Sequence, residues 1–252
     1  MTIAIISGTT SGLGTDYVKA VQDECPDVNE IWMVARRQNR MEQIAQQYPD
    51  IKFNILALDL AKEASWNRLS AELAAKAPVI EAVISNAGVA VGGYVTDQNM
   101  SDIDTMVNLN VLGATAFIKN CIPYIKPGGF ILSVSSVSSF IPNPNLDVYS
   151  ATKAYLKDFG VVLRQELQKR KINVCTVFPG RMKTEMDKAL HAGQNTTAFN
   201  IVPSLNVPKF AHKTIQAAKH GRATYTGMLV YKTLRVITNF IPQSIMVKFS
   251  QI

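Results

Sequence analysis

One pair of residues has the types and the spacing needed for proton transfer. Tyr149 and Lys153 stand at positions i and i+4 of the segment Tyr-Ser-Ala-Thr-Lys, which places both side chains on one face of a helix. A free tyrosine has a pKa of about 10 and is a poor base at neutral pH, but a neighbouring ammonium group favours the phenolate. The pair therefore suits a step that moves a hydroxyl proton while hydride travels to or from a cofactor. Because a Tyr and a Lys at this spacing are common on helix surfaces, the pair alone does not establish a catalytic site, and the surrounding sequence has to support it.

A glycine-rich segment near the start of the chain is the second chemical feature. The apolar run at 3–7 leads into Gly-Thr-Thr-Ser-Gly-Leu-Gly at 8–14, and a helical pattern begins at 13. Glycines permit a tight turn and let backbone N–H groups approach a pyrophosphate, while the helix N-terminus adds unpaired donors and partial positive charge. This placement favours a dinucleotide site over an ordinary turn.

Two arginines follow the second apolar run, at the position that separates NAD from NADP. Folds that bind NAD place an acid there, about 20 residues beyond the glycines, to hold the ribose 2′-hydroxyl. Here Ala35 is followed by Arg36 and Arg37, whose guanidinium groups suit a 2′-phosphate. We therefore expect NADP(H) rather than NAD(H). The alternative is a solvated pair that caps a helix.

The glycine spacing G-x-x-x-G-x-G resembles the short-chain dehydrogenase/reductase family, whose fold is a single Rossmann domain of about this length. Further motifs occur in the family's order as far as residue 184. The resemblance implies that Ser136, 13 residues before Tyr149, holds the substrate oxygen. Ser135 is the alternative, since only register separates the two, and a serine turn is the structural alternative.

The resemblance also assigns a fourth catalytic residue and several cofactor contacts. Asn110, which matches the family's N-x-x-G asparagine, would hold a water that links Lys153 to solvent, although such a residue can simply mark a helix kink. Asp59 would contact the adenine, with a helix N-cap as the competing role. Ser85-Asn86-Ala87-Gly88 is similar to the family's N-N-A-G, with a serine first, and Pro179-Gly180 with Thr184 resembles P-G-x-x-x-T, where the threonine contacts the nicotinamide carboxamide or the phosphates. The expected catalytic residues are Asn110, Ser136, Tyr149 and Lys153, and the expected cofactor contacts are Gly8, Thr10, Ser11, Gly12, Leu13, Gly14, Arg36, Arg37, Asp59, Asn86, Ala87, Gly88, Tyr149, Lys153, Pro179, Gly180 and Thr184.

Short apolar runs alternate with longer amphipathic segments, which predicts an α/β class. We expect one doubly wound Rossmann domain over 1–252, with a mostly parallel seven-stranded sheet, helices on both faces and a C-terminal helical extension. The predicted strands cover residues 3–7, 31–35, 53–58, 82–85, 130–135 and 174–178, with a seventh near 224–225, and the predicted helices cover 13–24, 40–48, 65–76, 101–125 and 148–170.

Two segments are expected to form the substrate pocket. Residues 181–206 are rich in Asn, Thr and Gly and too long for a routine connection, which is typical of a lid. The loop 138–147 contains Phe140, Ile141, Pro142 and Pro144, which would form an apolar wall. A hydrophobic ketone or secondary alcohol is therefore favoured over a sugar.

The charge of the chain is concentrated in its last quarter. The 252 residues contain 26 bases and 19 acids, a net charge of +7, yet residues 1–187 hold 18 bases and all 19 acids. Residues 188–252 hold eight bases and no acid. The extension 227–252 includes a helical pattern at 228–241 with a narrow polar stripe. It would pack over the pocket or against a second subunit, or lie on an anionic membrane.

Composition excludes several other classes. A hydrophobic share of 47% is that of a globular protein, not of a disordered one. The basic tail lacks the interleaved aromatics of a nucleic-acid site, and the three histidines show no metal-ligand grouping with cysteines or carboxylates. Cys25, Cys121 and Cys175 are expected to be buried, reduced thiols, consistent with a cytoplasmic location. The chain begins on a strand-like run with no leader, and no apolar run approaches the ~20 residues that cross a bilayer.

Together these features predict an NADP(H)-dependent oxidoreductase that interconverts a ketone or aldehyde and an alcohol. Its partners would be a small hydrophobic substrate and further copies of itself, as a dimer or tetramer, with peripheral membrane contact as a further option for the extension. The alternative is a dinucleotide-binding regulatory protein that has lost catalysis.

Overall fold

Seven parallel strands form one sheet at the centre of the protein. The computed structural model describes residues 1–141, 143–190, 203–242 and 246–247. The strand order is β3-β2-β1-β4-β5-β6-β7, and the chain crosses from one half of the sheet to the other between β3 and β4. This confirms the predicted α/β class and the doubly wound Rossmann topology. The strands are β1 (Thr2–Ser7), β2 (Glu30–Ala35), β3 (Lys52–Ala57), β4 (Val79–Ser85), β5 (Ile125–Val134), β6 (Asn173–Phe178) and β7 (Thr224–Thr226).

The alternating side chains of the central strands build two apolar cores, one on each face of the sheet. From β1, Ala4 and Ile6 pack into the core that also contains Tyr17. Ile3 and Ile5 pack into the opposite core with Phe117. Because the strands are buried on both faces, they read in the sequence as continuous apolar runs.

The helices surround this sheet and mostly match the predicted segments. Two helices were not predicted: α7, which falls in the segment expected to be a lid, and α8, although Asn206 caps the first turn of α8 and Pro208 follows within it, both ordinary helix-start signals. The helices are α1 (Leu13–Glu24), α2 (Gln38–Ala45), α3 (Glu63–Lys76), α4 (Met100–Val107), α5 (Ala114–Cys121), α6 (Asp147–Leu167), α7 (Glu185–Leu190), α8 (Val207–Lys219) and α9 (Leu229–Ile237).

The prediction of one uninterrupted helix over 101–125 is wrong. Between α4 and α5 lies a π-helical turn, Asn108–Gly113, and a short 3-10 turn follows at Ile122–Tyr124. A Cβ on Gly113 would overlap the carbonyl oxygen of Leu60, so the wider turn lies against the chain that follows β3. Such π turns often mark functional positions, and this one carries Asn110.

The C-terminal extension packs over the last two strands through α9. Tyr231 is buried, and its hydroxyl accepts a hydrogen bond from the Arg181 N–H and donates one to the Pro203 carbonyl. Arg235 lies 4.5 Å from the centroid of the Phe178 ring. Residues 243–245 and 248–252 of the predicted extension lie outside the described residues. None of the helices in the described ranges is long and apolar enough to span a bilayer.

The three cysteines are buried and unpaired, as predicted. Burial raises the pKa of Cys25 and of Cys175 to about 12, which leaves both thiols protonated and unreactive at neutral pH. They act as small apolar core residues.

Candidate active site

The glycine-rich turn is compressed between β1 and β4, which explains its composition. Gly8 and Gly12 have positive φ angles of 71° and 51°, a region that side chains disfavour. A Cβ on Gly8 would lie 2.8 Å from Cα of Ala87, and a Cβ on Gly14 would overlap the Gly8 carbonyl. Each glycine is therefore required by the turn itself, independently of any ligand.

A hydrogen-bonded clasp joins this turn to the end of β4. The buried hydroxyl of Ser7 accepts hydrogen bonds from the backbone N–H groups of Asn86 and Ala87, both at 3.0 Å. The Asn86 amide donates to the carbonyls of Ser7 and Gly8, both at 3.2 Å. Ser7 was not among the predicted site residues, although its place at the end of the first strand was a usable signal.

The turn also leaves room and donors for an anion. Gly12, which precedes the first turn of α1, offers no side chain to cap it, so the helix N-terminus is free of competition from a cap. The Gly8 and Gly14 N–H groups already donate to the carbonyls of Val34 and Ser11, so a pyrophosphate contact with the rest of the turn stays a prediction. Leu13 is buried in the core, while Thr10 and Ser11 flank the glycines.

Arg37 joins the glycine turn to α7. Its guanidinium donates to the hydroxyl and the carbonyl of Thr10, at 3.2 and 3.0 Å. The same group pairs with Glu185 at 3.2 Å, and Arg40 pairs with the other oxygen of that carboxylate at 2.7 Å. Arg36 is exposed, and within the described residues its side chain makes no hydrogen bond to the glycine turn. Hydrogen bonds from Arg40 and Arg37 lower the pKa of the Glu185 carboxyl. The cofactor contacts expected of Arg36 and Arg37 stay predictions.

Asp59 forms a local turn after β3. Its carboxylate accepts a hydrogen bond from the Ala61 N–H at 3.2 Å. The residue that precedes α3 is Lys62, so Asp59 is not the helix cap. The carboxylate lies at the carboxyl edge of the sheet, where an adenine contact stays a prediction.

The predicted acid–base pair lies on α6, next to the end of β5. The Lys153 ammonium donates to the Val134 carbonyl at 3.0 Å and lies 5.7 Å from the centroid of the Tyr149 ring. Ser136 follows Ser135 directly after β5; its hydroxyl bonds to Ser138 at 3.2 Å and lies close enough to the Tyr149 phenol to oppose the rise in its pKa. Tyr149 and Lys153 therefore both face the loop after β5 that contains Ser135 and Ser136, which we call the serine loop.

Burial shifts both titrations of this pair. It raises the pKa of the Tyr149 phenol, against the smaller and opposite effect of the Ser136 hydrogen bond. It lowers the pKa of the Lys153 ammonium to about 8, because a buried cation loses its hydration. At neutral pH the site therefore presents a protonated phenol beside a lysine that is still mostly cationic.

The two candidate serines do different things. The Ser135 hydroxyl is buried and donates to the backbone carbonyl of Lys153 at 2.7 Å. It thereby ties β5 to α6. Ser136 accepts from the Ser138 N–H at 3.2 Å and also faces Tyr149. Ser136, not Ser135, is therefore the serine that lies beside the Tyr149 phenol.

Asn110 is fully buried and fixed on three sides. Its amide oxygen accepts from the Val89 N–H at 2.9 Å, and its amide nitrogen donates to the Val89 carbonyl and to the Thr152 hydroxyl, at 2.8 and 3.1 Å. A Cβ on Gly88 would lie 3.1 Å from this oxygen and 3.2 Å from the Lys153 ammonium. Gly88 therefore lets the asparagine and the lysine lie side by side. Thr152 is a supporting residue that the sequence analysis did not select.

The segment after β6 brings the remaining predicted contacts to the same cleft. A Cβ on Gly12 would lie 2.9 Å from Cγ2 of Thr184, so the threonine sits over the glycine turn. Gly180 lies against the Tyr231 ring so closely that a Cβ would overlap it. Pro179 accepts a hydrogen bond from the Val137 N–H at 3.1 Å. The structure therefore gathers the predicted P-G-x-x-x-T residues between the serine loop and the glycine turn.

The two ends of the predicted lid lie next to each other. The Leu205 N–H donates to the Arg181 carbonyl at 2.8 Å, and Tyr231 bonds to residues on both sides of this junction. Residues 191–202, the middle of the predicted lid, lie outside the described residues. The extension therefore secures the base of the lid.

The predicted apolar wall needs one correction. Phe140 is buried edge-on against Phe178, with ring centroids 5.6 Å apart, so it belongs to the core and not to the pocket surface. Pro142 lies outside the described residues. Two leucines meet near Gly92, in the loop after β4: a Cβ on Gly92 would lie 3.5 Å from Leu190, 3.6 Å from the Asn145 carbonyl oxygen and 3.9 Å from Leu146. Within the described ranges, no group of three His, Cys, Asp or Glu side chains could hold a metal ion.

A Rossmann sheet with a glycine turn at its switch point and a Ser–Tyr–Lys cluster beside it defines a dehydrogenase class of protein. The family model described as short chain dehydrogenase matches residues 2–195. The chain belongs to the short-chain dehydrogenase family.

Characterised relatives and solved structures agree with this assignment. The chain is 31% identical to an NADP-dependent 3-hydroxy acid dehydrogenase of Schizosaccharomyces pombe, over 78% of each chain. It is 29% identical to a serine 3-dehydrogenase of Agrobacterium fabrum, over 80% of each. A short-chain dehydrogenase from Sphingobium yanoikuyae in complex with NADPH shares the fold, with a TM-score of 0.78, 22% identity and coverage of 97% of this chain and 98% of that one.

Proposed function

We propose that the protein is an NADP(H)-dependent oxidoreductase that interconverts a ketone or aldehyde with the corresponding alcohol. The observation that carries this proposal is the cluster of Ser136, Tyr149 and Lys153 around one small volume at the carboxyl edge of the sheet. When bound, the reduced cofactor supplies hydride to the carbonyl carbon.

Tyr149 is the proton donor in the direction of reduction. Its raised pKa keeps the phenol protonated at neutral pH, as a general acid requires. Ser136 donates a hydrogen bond to the substrate oxygen and holds it against the phenol. Lys153, cationic below about pH 8, stabilises the phenolate that remains after transfer. The water that would re-protonate Tyr149 through Lys153 lies, on this proposal, beside Asn110.

The proposed cofactor contacts lie at two ends of the cleft. One end is the glycine turn with Arg37 and Arg40, and the other is the catalytic cluster of Ser136, Tyr149 and Lys153. The glycine turn would hold the pyrophosphate, and Gly88 and Thr184 would flank the nicotinamide half. Arg37 and Arg40 would receive the 2′-phosphate, since their guanidinium groups already share one carboxylate. The NADP dependence of the Schizosaccharomyces pombe relative supports this choice.

For the substrate we propose a hydrophobic ketone or secondary alcohol. Leu146 and Leu190, which lie near Gly92, would give the substrate site an apolar lining. A second candidate is a 3-hydroxy acid or serine, because those are the substrates in the names of two relatives. The first candidate requires an apolar surface that buries the substrate, whereas the second requires a cationic group beside the substrate carboxylate.

The test is NADPH oxidation by the full chain against matched panels of bulky apolar ketones and of 3-oxo acids. We expect turnover with the apolar panel. Turnover confined to the acids would replace the first substrate class by the second. Tight NADPH binding without turnover on either panel would instead indicate a regulatory dinucleotide-binding protein.

We also propose a homo-oligomeric, cytoplasmic protein. The exposed side chains of Val161 and Val162 on the outer face of α6 are suited to a subunit contact. Light scattering after size-exclusion chromatography tests the assembly, and a monomer at micromolar concentration would contradict it.

A further inference from the structure

The outer face of α9 is apolar and open to solvent. Leu229 is 78% exposed, and Phe240, in the turn that ends the helix, is 82% exposed. Val236 and Ile237 extend the same surface. At 100° per residue, positions 229, 233, 236, 237 and 240 share one side of a helix, so these side chains form one stripe, which we call the α9 stripe (Leu229, Val236, Ile237 and Phe240). A contiguous exposed apolar stripe marks an interaction site more often than isolated surface residues do.

The opposite face of α9 is fixed to the protein, so the stripe cannot turn inward. Tyr231 is buried against Gly180 and hydrogen-bonded to Arg181 and Pro203. One helical turn further on, Arg235 donates to the hydroxyl of Thr224 at 3.0 Å while its guanidinium lies over the Phe178 ring. Two consecutive turns are therefore anchored, and the stripe is held outward.

The exposed charges on α9 and on the neighbouring helix α8 are basic, and Lys232 lies over the Tyr225 ring that packs against Phe210 of α8. Lys232 is exposed on α9, between the anchored face and the stripe. Lys209 and Lys213 are exposed on α8, which precedes the edge strand, and no ion pair joins either of them to an acidic side chain within the described residues. From residue 188 to the end the sequence has eight bases and no acid. The part of the chain that carries the stripe is thus apolar and cationic together.

The apolar and cationic character of this region distinguishes between two surfaces that could cover the α9 stripe, namely a second copy of the protein and a lipid membrane. A twofold contact between two copies sets the same patch against itself, so the bases of one copy would face those of the other. An anionic lipid surface instead attracts these bases while its acyl region receives the apolar side chains. We propose that the α9 stripe docks the protein peripherally on an anionic membrane surface.

The experiment is co-sedimentation of the full chain with vesicles of phosphatidylcholine alone and of phosphatidylcholine mixed with phosphatidylglycerol. We expect binding to the mixed vesicles that weakens as salt rises, because exposed charges are screened. The double variant Leu229→Ser with Phe240→Ser should reduce the partition coefficient at least about tenfold, since two large apolar side chains no longer enter the bilayer. Met100→Ser is the matched control, because Met100 is 73% exposed on α4, away from α9, and its loss should leave binding unchanged.

A second variant tests the charge without touching the apolar stripe. Lys232→Glu reverses one exposed charge and should weaken binding to the mixed vesicles several-fold, with no effect on the phosphatidylcholine vesicles. Both variants should keep the NADPH affinity of the wild type, which shows that they are folded and which separates this result from any failure of the proposed reaction.

Three results would overturn the proposal. One is no binding of the wild type to the mixed vesicles. Another is a failure of either comparison: the wild type binds both vesicle types equally, or the wild type and the double variant bind equally. The third is a smaller oligomer for the double variant in light scattering, which would assign the stripe to a contact between copies of this chain.

Discussion

The two ends of the cleft are built on different physical principles. At the catalytic end, Lys153 and Asn110 are buried, and backbone carbonyls and neutral side chains hold them. At the other end, Arg37, Arg40 and Glu185 are about half exposed and hold one another by charge. Burial fixes geometry and shifts pKa values, whereas exposed ion pairs are weak and exchange partners readily.

This difference suggests a division of labour. A site that moves a proton needs one geometry and one protonation pattern, which buried hydrogen bonds supply. A site that admits and releases a charged cofactor group needs contacts that can be replaced at little cost. Changes at the catalytic end should therefore affect turnover and stability, and changes at the charged end should affect cofactor affinity alone.

The largest effect is expected for Tyr149→Phe. The variant keeps the ring and loses the proton donor, so kcat should fall by about 10²–10⁴-fold, while the Kd for NADPH stays unchanged. Steady-state kinetics and NADPH fluorescence titration measure the two quantities. Retained turnover would remove Tyr149 from the mechanism, and a parallel loss of NADPH binding would contradict the separation of the two ends.

A large effect on stability is expected for Lys153→Met in the cofactor-free protein. The folded-state pKa of about 8 lies below the ordinary value of 10.5, so the unfolded chain binds more protons between these two pH values. The wild type therefore gains stability as pH rises from 8 to 10.5, and below pH 8 it carries the full cost of the buried charge. The methionine variant should be more stable by up to about 3 kcal/mol at pH 7, although inactive.

Urea unfolding of both proteins at pH 7 and pH 10 tests this. The difference in the free energy of unfolding should shrink at the higher pH, since the folded lysine is then neutral while the unfolded lysine approaches its own pKa of 10.5. A methionine variant that is less stable at pH 7, or a difference that does not change with pH, would show that the ammonium is solvated.

The catalytic end was also the more predictable one. Tyr149 and Lys153 lie one helical turn apart, and this spacing together with the order of the family's motifs was sufficient to select them. The partners of Arg37 were not predictable in this way, because Glu185 is 148 positions away and meets it only through the fold. Contacts such as Tyr231 on Gly180 depend equally on how α9 packs.

Helix irregularities form another limit of sequence reasoning. The apolar periodicity of 101–125 predicts one helix, yet the π turn at Asn108–Gly113 is imposed by the packing of Gly113 against Leu60. The sequence did single out Asn110 by its offset from Gly113. It could not indicate the bonds to Val89 and Thr152 that hold the side chain.

A medium effect, confined to the charged end, is expected for Arg37→Ala. Loss of charge-assisted hydrogen bonds to a phosphate costs about 1.5–3 kcal/mol, so the Kd for NADPH should rise by at least about tenfold. The Kd for NADH and the value of kcat at saturating cofactor should change little. Arg36→Ala is the matched comparison and should have the smaller effect, since Arg36 does not contact the glycine turn. Equal losses for NADPH and NADH would mean that Arg37 acts through Thr10 and the turn.

The smallest effect, and the one of opposite sign, is expected for Glu185→Gln. The carboxylate pairs with both Arg37 and Arg40, so a 2′-phosphate that binds these arginines has to displace it. Because exposed ion pairs are weak, the glutamine variant should bind NADPH up to about fivefold more tightly at low salt, with NADH unaffected. Glu42→Gln makes the same charge change on α2, away from the pair, and controls for the general field. If both variants tighten NADPH binding equally, the effect is one of net charge; if Glu185→Gln weakens it, the carboxylate positions the arginines rather than competing for them.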